Sequence, residues 1–176
     1  MKRFLAVLIF LLGALLLLAS CTVQAEVSPE LFVSRFAKNY PSYSPETENM
    51  FYENGKSVLF VTDSDKTRFA LEMTSDERGR VQKISLACAD SDKTDAFSAF
   101  VRDVISVYAA DEDAEAVLKK TVNGESFAYH ETLRYYYSFS DTEAGLFFAV
   151  ENKKLSPEKE VVPTLKPNDI ITKPAE

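Results

Sequence analysis

Asp95-Ala96-Phe97-Ser98-Ala99-Phe100-Val101-Arg102-Asp103-Val104-Ile105-Ser106-Val107-Tyr108 is the stretch that decides the fold. Phe97, Phe100, Val101, Val104, Ile105 and Tyr108 recur at intervals of three and four residues, so they share one face of a helix. A continuous apolar stripe of that kind must be covered by another layer. The segments on either side alternate with a period of two, which predicts that the helix lies on a sheet as the spine of the core.

Upstream, Ser57–Thr62 and Val81–Cys88 read as strands, and between them Phe69, Leu71 and Met73 alternate with Ala70, Glu72 and Thr74. Ser75–Gly79 is a polar turn, and Asp90–Thr94 is a loop carrying helix-cap residues. Downstream, Asp111 or Asp113 caps a second helix running to about Thr121. Strands follow at about Ser126–His130, Leu133–Phe139 and Leu146–Glu151, with Asp141–Gly145 turning the last hairpin. Near the start, Ser28-Pro29-Glu30 combines an N-cap serine with proline at the first helical position. Leu31, Phe32, Phe36 and Ala37 then form a helical stripe that Tyr40-Pro41 stops. Ser44-Pro45-Glu46 repeats the start signal and predicts a short helix to about Phe51. The competing reading makes Met50–Tyr52 a strand, because Asn54-Gly55 is the favoured two-residue hairpin turn. The fold class expected is α+β: an antiparallel sheet with helices packed on one face.

Two markers recur at nearly equal spacing. Phe32, Val33, Phe36 and Tyr40 align with Phe100, Val101, Val104 and Tyr108, and Asn54-Gly55-Lys56-Ser57 aligns with Asn123-Gly124-Glu125-Ser126. This pattern predicts tandem helix-helix-strand repeats over 28–89 and 94–154. In order of elements it resembles the tandem modules of β-lactamase-inhibitor-protein-like domains, which recur in bacterial envelope lipoproteins. The resemblance implies one joined sheet with helices on one face. It carries no motif and therefore assigns no binding residue.

The first 21 residues have a different character. Met1-Lys2-Arg3 is a short positive region, and Phe4–Leu18 is an apolar run broken only by Gly13. As a helix this run would measure roughly 22 Å, short of the ~30 Å hydrocarbon core, which suits the apolar part of a secretory signal. Leu18-Ala19-Ser20-Cys21 then resembles the lipobox of bacterial lipoproteins. The resemblance implies a signal peptide over 1–20, diacylglyceryl attachment to the Cys21 thiol, and a mature chain tethered to the membrane through 21–27. Thr22 stands where the family's inner-membrane retention signal places aspartate. The expected location is therefore the extracytoplasmic side of a cell membrane or outer membrane. The main domain spans 28–154. The segment 155–176 is a charged tail with four of the seven prolines, and its composition predicts disorder.

Charge narrows the partners. The chain carries 20 basic and 27 acidic residues, and removing Lys2 and Arg3 with the signal takes the balance from −7 to −9. Phosphate recognition needs a basic footprint, so nucleic acid is not an expected partner. Thirteen Phe and eight Tyr supply ample apolar material for one core. Once Cys21 is lipidated, Cys88 has no partner for a disulfide, and its place on the Ile84, Leu86 and Cys88 strand face reads as a buried thiol.

Catalytic constellations are missing at the level of motif. His130 is the sole histidine, which leaves no two-histidine zinc motif and no Cys/His cluster, and no Gly-x-Ser-x-Gly elbow or phosphate loop occurs. Asp-Ser-Asp-Lys-Thr occurs at 63–67 and again at 90–94, but both copies lack the glycine and glutamate that a calcium loop needs. They read as a hairpin turn and a helix cap. No cofactor and no metal are expected. The suggestive surface is Leu133–Phe139: Leu133, Tyr135, Tyr137 and Phe139 should face the helices, leaving Arg134, Tyr136 and Ser138 on the open face beside Phe147 and Ala149. The functional expectation is a non-enzymatic, lipid-anchored module that binds a protein or another envelope component through Arg134, Tyr136, Ser138 and Phe147. A small-ligand sensor with a pocket between sheet and helices is the alternative, and a hydrolase using acids or a Ser-His pair is weaker.

Overall fold

The computed structural model describes residues 27–156. The proposed signal peptide, Cys21 and the tail from 157 onward lie outside the described residues. Three α-helices, α1 (Pro29–Asn39), α2 (Thr94–Tyr108) and α3 (Ala114–Thr121), pack on one face of an eight-stranded sheet. The strands are β1 (Ser44–Pro45), β2 (Phe51–Glu53), β3 (Lys56–Thr62), β4 (Arg68–Ser75), β5 (Val81–Cys88), β6 (Phe127–Glu131), β7 (Tyr135–Thr142) and β8 (Gly145–Asn152). All pairings are antiparallel, in the order β1-β3-β4-β5-β8-β7-β6, with β2 also paired to β3. The α+β class read from periodicity is the observed one.

α2 lies across the middle of the sheet. Phe97, Phe100, Val101, Val104 and Ile105 are fully buried, and Tyr108 nearly so. Near its start, Phe100 stacks on Phe69 of β4 at 4.5 Å and meets Phe36 of α1 edge-on at 5.7 Å. At its end, Tyr108 meets Tyr135 of β7 at 5.8 Å and donates its hydroxyl to the Val81 carbonyl of β5 at 3.0 Å. One helix therefore touches both sides of the β5–β8 seam, where Lys83–Cys88 pairs with Leu146–Glu151. The caps match the sequence signals: Ser28 accepts from the Leu31 N–H, and Asp113, rather than Asp111, accepts from Ala116.

Residues 44–53 differ from the expected helix. Ser44 and Pro45 pair with β3, the Glu46 N–H donates to the Phe60 carbonyl, and only Thr47–Asn49 forms a 3-10 turn. Phe51–Glu53 is a strand whose Asn54-Gly55 turn, with φ of 50° and 76°, leads straight into β3. Two left-handed residues in succession are the signature of the twisted hairpin turn, and the ladder it starts outweighs the helix-start signal. Arg68 fixes the segment further by clamping the Glu46 carboxylate with two hydrogen bonds of 2.9 and 3.1 Å.

The two Asn-Gly pairs also do different work. Asn54-Gly55 is a hairpin tip, whereas Asn123-Gly124 links α3 to β6. Gly145 is the glycine that the packing demands. It opens β8 at φ 121°, and a Cβ there would collide with the Cys88 carbonyl oxygen at the end of β5.

Two stability predictions follow from this packing. Truncating the central ring in Phe100→Ala should cost about 3–5 kcal/mol in urea unfolding. Gly145→Ala should cost more than about 2 kcal/mol, through strain and collision together.

Candidate binding face

The helices cover one side of the sheet and leave the other bare among the described residues. Alternation decides which residues reach that outer face. Its cross-strand rows run perpendicular to the strands. One row is Val58, Glu72, Ser85, Ala149, Ser138 and Tyr129, and the next is Phe60, Ala70, Ala87, Phe147, Ser140 and Phe127. Serine and alanine fill most of the centre, where Phe147 of β8 is the one ring, and the other aromatic rings of these rows stand toward both flanks. Phe51 is 58 % exposed, Phe127 52 %, Tyr129 50 %, Phe147 38 % and Phe60 37 %. From β3 to β6 the platform is about 24 Å wide at the usual strand spacing.

Charge lies mostly outside these two rows: Lys83 of β5 and Glu151 of β8 are register partners in the next row, and other charges around the face are paired. Glu72 holds Lys56 at 3.1 Å, and the Arg68 guanidinium lies 3.7 Å over the Phe60 ring while it clamps Glu46. The Lys153 ammonium sits 4.4 Å over the Tyr136 ring and reaches Glu131 at 3.2 Å. Two adjacent rows with one carboxylate between them are unusual on a chain that is 27 % charged. Burial, and then the Glu131 carboxylate and the neighbouring Tyr136, push the Tyr129 phenol above its ordinary range. It therefore remains a neutral hydroxyl at any physiological pH.

Of the four residues expected on this surface, Tyr136, Ser138 and Phe147 lie there, with Ser138 between Tyr129 and Ala149 and with Phe147 beside Ser140. Arg134 does not. It precedes β7 and forms an ion pair with Asp111 in the α2–α3 loop. Leu133, expected to face the helices, is 92 % exposed. Both displacements have one cause: the Thr132 hydroxyl oxygen accepts the Arg134 and Tyr135 N–H groups, curling 132–134 into a turn and delaying the strand to Tyr135. Phe127, Tyr129, Phe60 and Phe51 were missed, although Phe127 and Tyr129 already share one parity in the β6 sequence. Uniting them with β7 and β8 needs the strand order.

The other singled-out residues have structural surroundings. Cys88 is buried, with its thiol 3.5 Å from the Asp90 carbonyl. Asp63 accepts the Asp65 and Thr67 N–H groups, and Asp90 accepts that of Asp92, so each aspartate-rich segment uses its first carboxylate to hold its own turn. Among the described residues no group of three or more His, Cys, Asp or Glu side chains is placed to hold a metal ion. Aromatic and aliphatic side chains fill the space between helices and sheet. An open depression lies instead between α2 and α3, lined in part by Ser98, Leu118 and Val122. His130 faces the helix side, stacked on the buried Tyr137 ring at 6.2 Å.

Exposed residues that do not hold the fold should be replaceable. Phe127→Ser and Phe147→Ser should each change unfolding free energy by no more than about 0.5–1 kcal/mol, checked by urea titration. His130 should make stability depend on pH. Partial burial, and then the Lys120 charge, lower its folded pKa below the ordinary 6.5. The unfolded chain therefore takes up the proton first, and stability falls as pH drops through the mid-sixes. His130→Gln should lack that component of the pH-stability profile.

Compared with protein-family models, curated proteins and solved structures, the chain matches none of them.

Proposed function

We propose that this chain is a lipid-anchored extracytoplasmic binding protein that holds a protein partner on the outer face of its sheet. The observation that carries the reading is the face itself: six strands wide, with two adjacent rows of mostly small residues that hold a single carboxylate, Glu72, an exposed ring at Phe147, and further aromatic rings toward both flanks. Small central residues let a partner's surface approach the sheet closely. The flanking rings supply the large, rigid apolar contacts that dominate binding energy in protein interfaces. Serines at 85, 138 and 140 add hydroxyls that donate and accept without introducing charge. The anchoring half rests on the Leu18-Ala19-Ser20-Cys21 motif after an apolar run. Two or more acyl chains on Cys21 would give stable membrane attachment, since each buried CH₂ contributes about 0.8 kcal/mol.

Photocrosslinking tests the face, and mass spectrometry tests the anchor. A benzoylphenylalanine at position 147 of the full-length protein, in its native membranes, should give one discrete protein adduct. Ser138→Arg and Ala149→Glu, which put bulk and charge at the centre of the face, should reduce that adduct by at least about tenfold without lowering the melting temperature. By intact-mass spectrometry the mature protein should begin at Cys21 and carry acyl chains, and Cys21→Ala should carry none and keep residues 1–20. An adduct indifferent to both face substitutions would remove the face reading, and a native protein without acyl chains on Cys21 would remove the anchor.

A further inference from the structure

The two edges of the sheet are finished differently. The β3 edge is covered by β1 and β2, two short strands separated by a 3-10 turn and pinned by Arg68 and Glu46. The β6 edge pairs with nothing among the described residues. It also lacks the devices that usually block strand addition: Phe127-Ala128-Tyr129-His130-Glu131 has no proline, no lysine and no bulge in its register with β7. Its one formal charge, Glu131, is held by Lys153.

The backbone polarity of that edge follows from the hydrogen bonds at its two ends. The Ser126 carbonyl accepts from the Asp141 N–H, and the Thr132 N–H donates to the Tyr135 carbonyl. Even-numbered residues therefore point their backbone groups at β7, and those of Phe127, Tyr129 and Glu131 point to the open edge. The same residues send their side chains onto the outer face, so the bare edge is continuous with the aromatic flank of the candidate binding face.

The helix side of the edge has the opposite character. Ala128 and His130 project there, next to α3, whose last turn carries exposed Lys119 and Lys120. Neither lysine is in an ion pair with another described residue. An incoming strand would thus meet apolar rings with one set of alternate residues and unpaired positive charge with the other. A second copy of this chain fits poorly, because antiparallel β6–β6 pairing would bring two sets of Lys120 and His130 together on the same side.

We propose that the β6 edge takes an extended segment of a partner polypeptide as a ninth strand, with apolar residues on its outer side and acidic residues on its helix side. The proposal rests on the face reading above and specifies how the partner engages its β6 flank.

Two acetylated, fluorescently labelled peptides test it on the full-length protein, one alternating valine with glutamate and one alternating valine with lysine. The glutamate peptide should bind more tightly by about tenfold or more, as read by anisotropy. It should slow hydrogen exchange at the amides of Phe127, Tyr129 and Glu131. Tyr129→Pro should abolish that binding while keeping the melting temperature, since the N–H it deletes belongs to the open edge and not to the β7 ladder. Lys120→Glu, an exposed change that leaves the strand untouched, should reverse the preference toward the lysine peptide. The proposal fails if neither peptide slows those amides, or if both bind equally and Lys120→Glu changes nothing. It also fails if the same amides become protected with protein concentration alone, which would make a second copy the occupant. Crosslinking separates this failure from that of the face: an adduct lost in Ser138→Arg but intact in Tyr129→Pro removes the edge proposal alone, and an adduct indifferent to both removes the face as well.

Discussion

The contact between α2 and the sheet holds the two parts of this chain together. The strands form two sets, β1–β5 before the helix and β6–β8 after it, and the ladder joining them is β5 with β8. Backbone hydrogen bonds alone contribute modestly to net stability. The larger stabilisation comes from the apolar stripe that lies across the join, from Phe100 on Phe69 to Tyr108 on Tyr135. The polar contacts of α2 reinforce the same placement. Tyr43 donates to the buried Asp103 carboxylate at 3.2 Å, bringing the loop after α1 against the helix. Burial, followed by the charge and hydrogen bond of Asp103, keeps that phenol protonated.

Everything on the outer face depends on this arrangement. Because the helix layer takes all of one side, the core is complete without help from the other, and the outer residues are released from packing duty. A strand buried on both faces would need large apolar residues at every position. β4, β5 and β8 instead put Ala70, Ser85, Ala87 and Ala149 on the side away from the helices, where larger side chains would face solvent. The aromatic rings at the flanks are therefore not overflow from the core, which already closes around α2.

The parts of this architecture that were legible in the sequence are those controlled by local spacing. α2 announces itself through six apolar residues on one face, and β5 occupies the Val81–Cys88 range read from alternation. The losses occur where two local signals compete. Ser44-Pro45-Glu46 has helix-start chemistry, yet the Asn54-Gly55 turn and the Arg68 clamp draw the segment into the sheet. Arg134 and Leu133 fit a strand pattern, yet the Thr132 hydroxyl captures their region as a turn. The candidate face was readable only in part, as Tyr136, Ser138 and Phe147. Its remaining members come from strands far apart in sequence, and a pairing such as Ala87 with Phe147 leaves no trace in either strand alone.

The position of β8 has a consequence for how the chain acquires its structure. The last strand among the described residues occupies an interior place in the sheet, between β5 and β7. A chain emerging N-terminus first presents β1–β5 while the β5 edge still lacks its neighbour, and α2 has only half of its floor. Pairing Ile84 with Val150 closes a loop of more than sixty residues, which is entropically slow. Cooperative folding must therefore wait until the β7–β8 hairpin is free, so the first half spends that interval with an exposed strand edge. Any machinery that handles the chain during synthesis meets it as an unfinished sheet, and the moment of completion is set by its last thirty described residues.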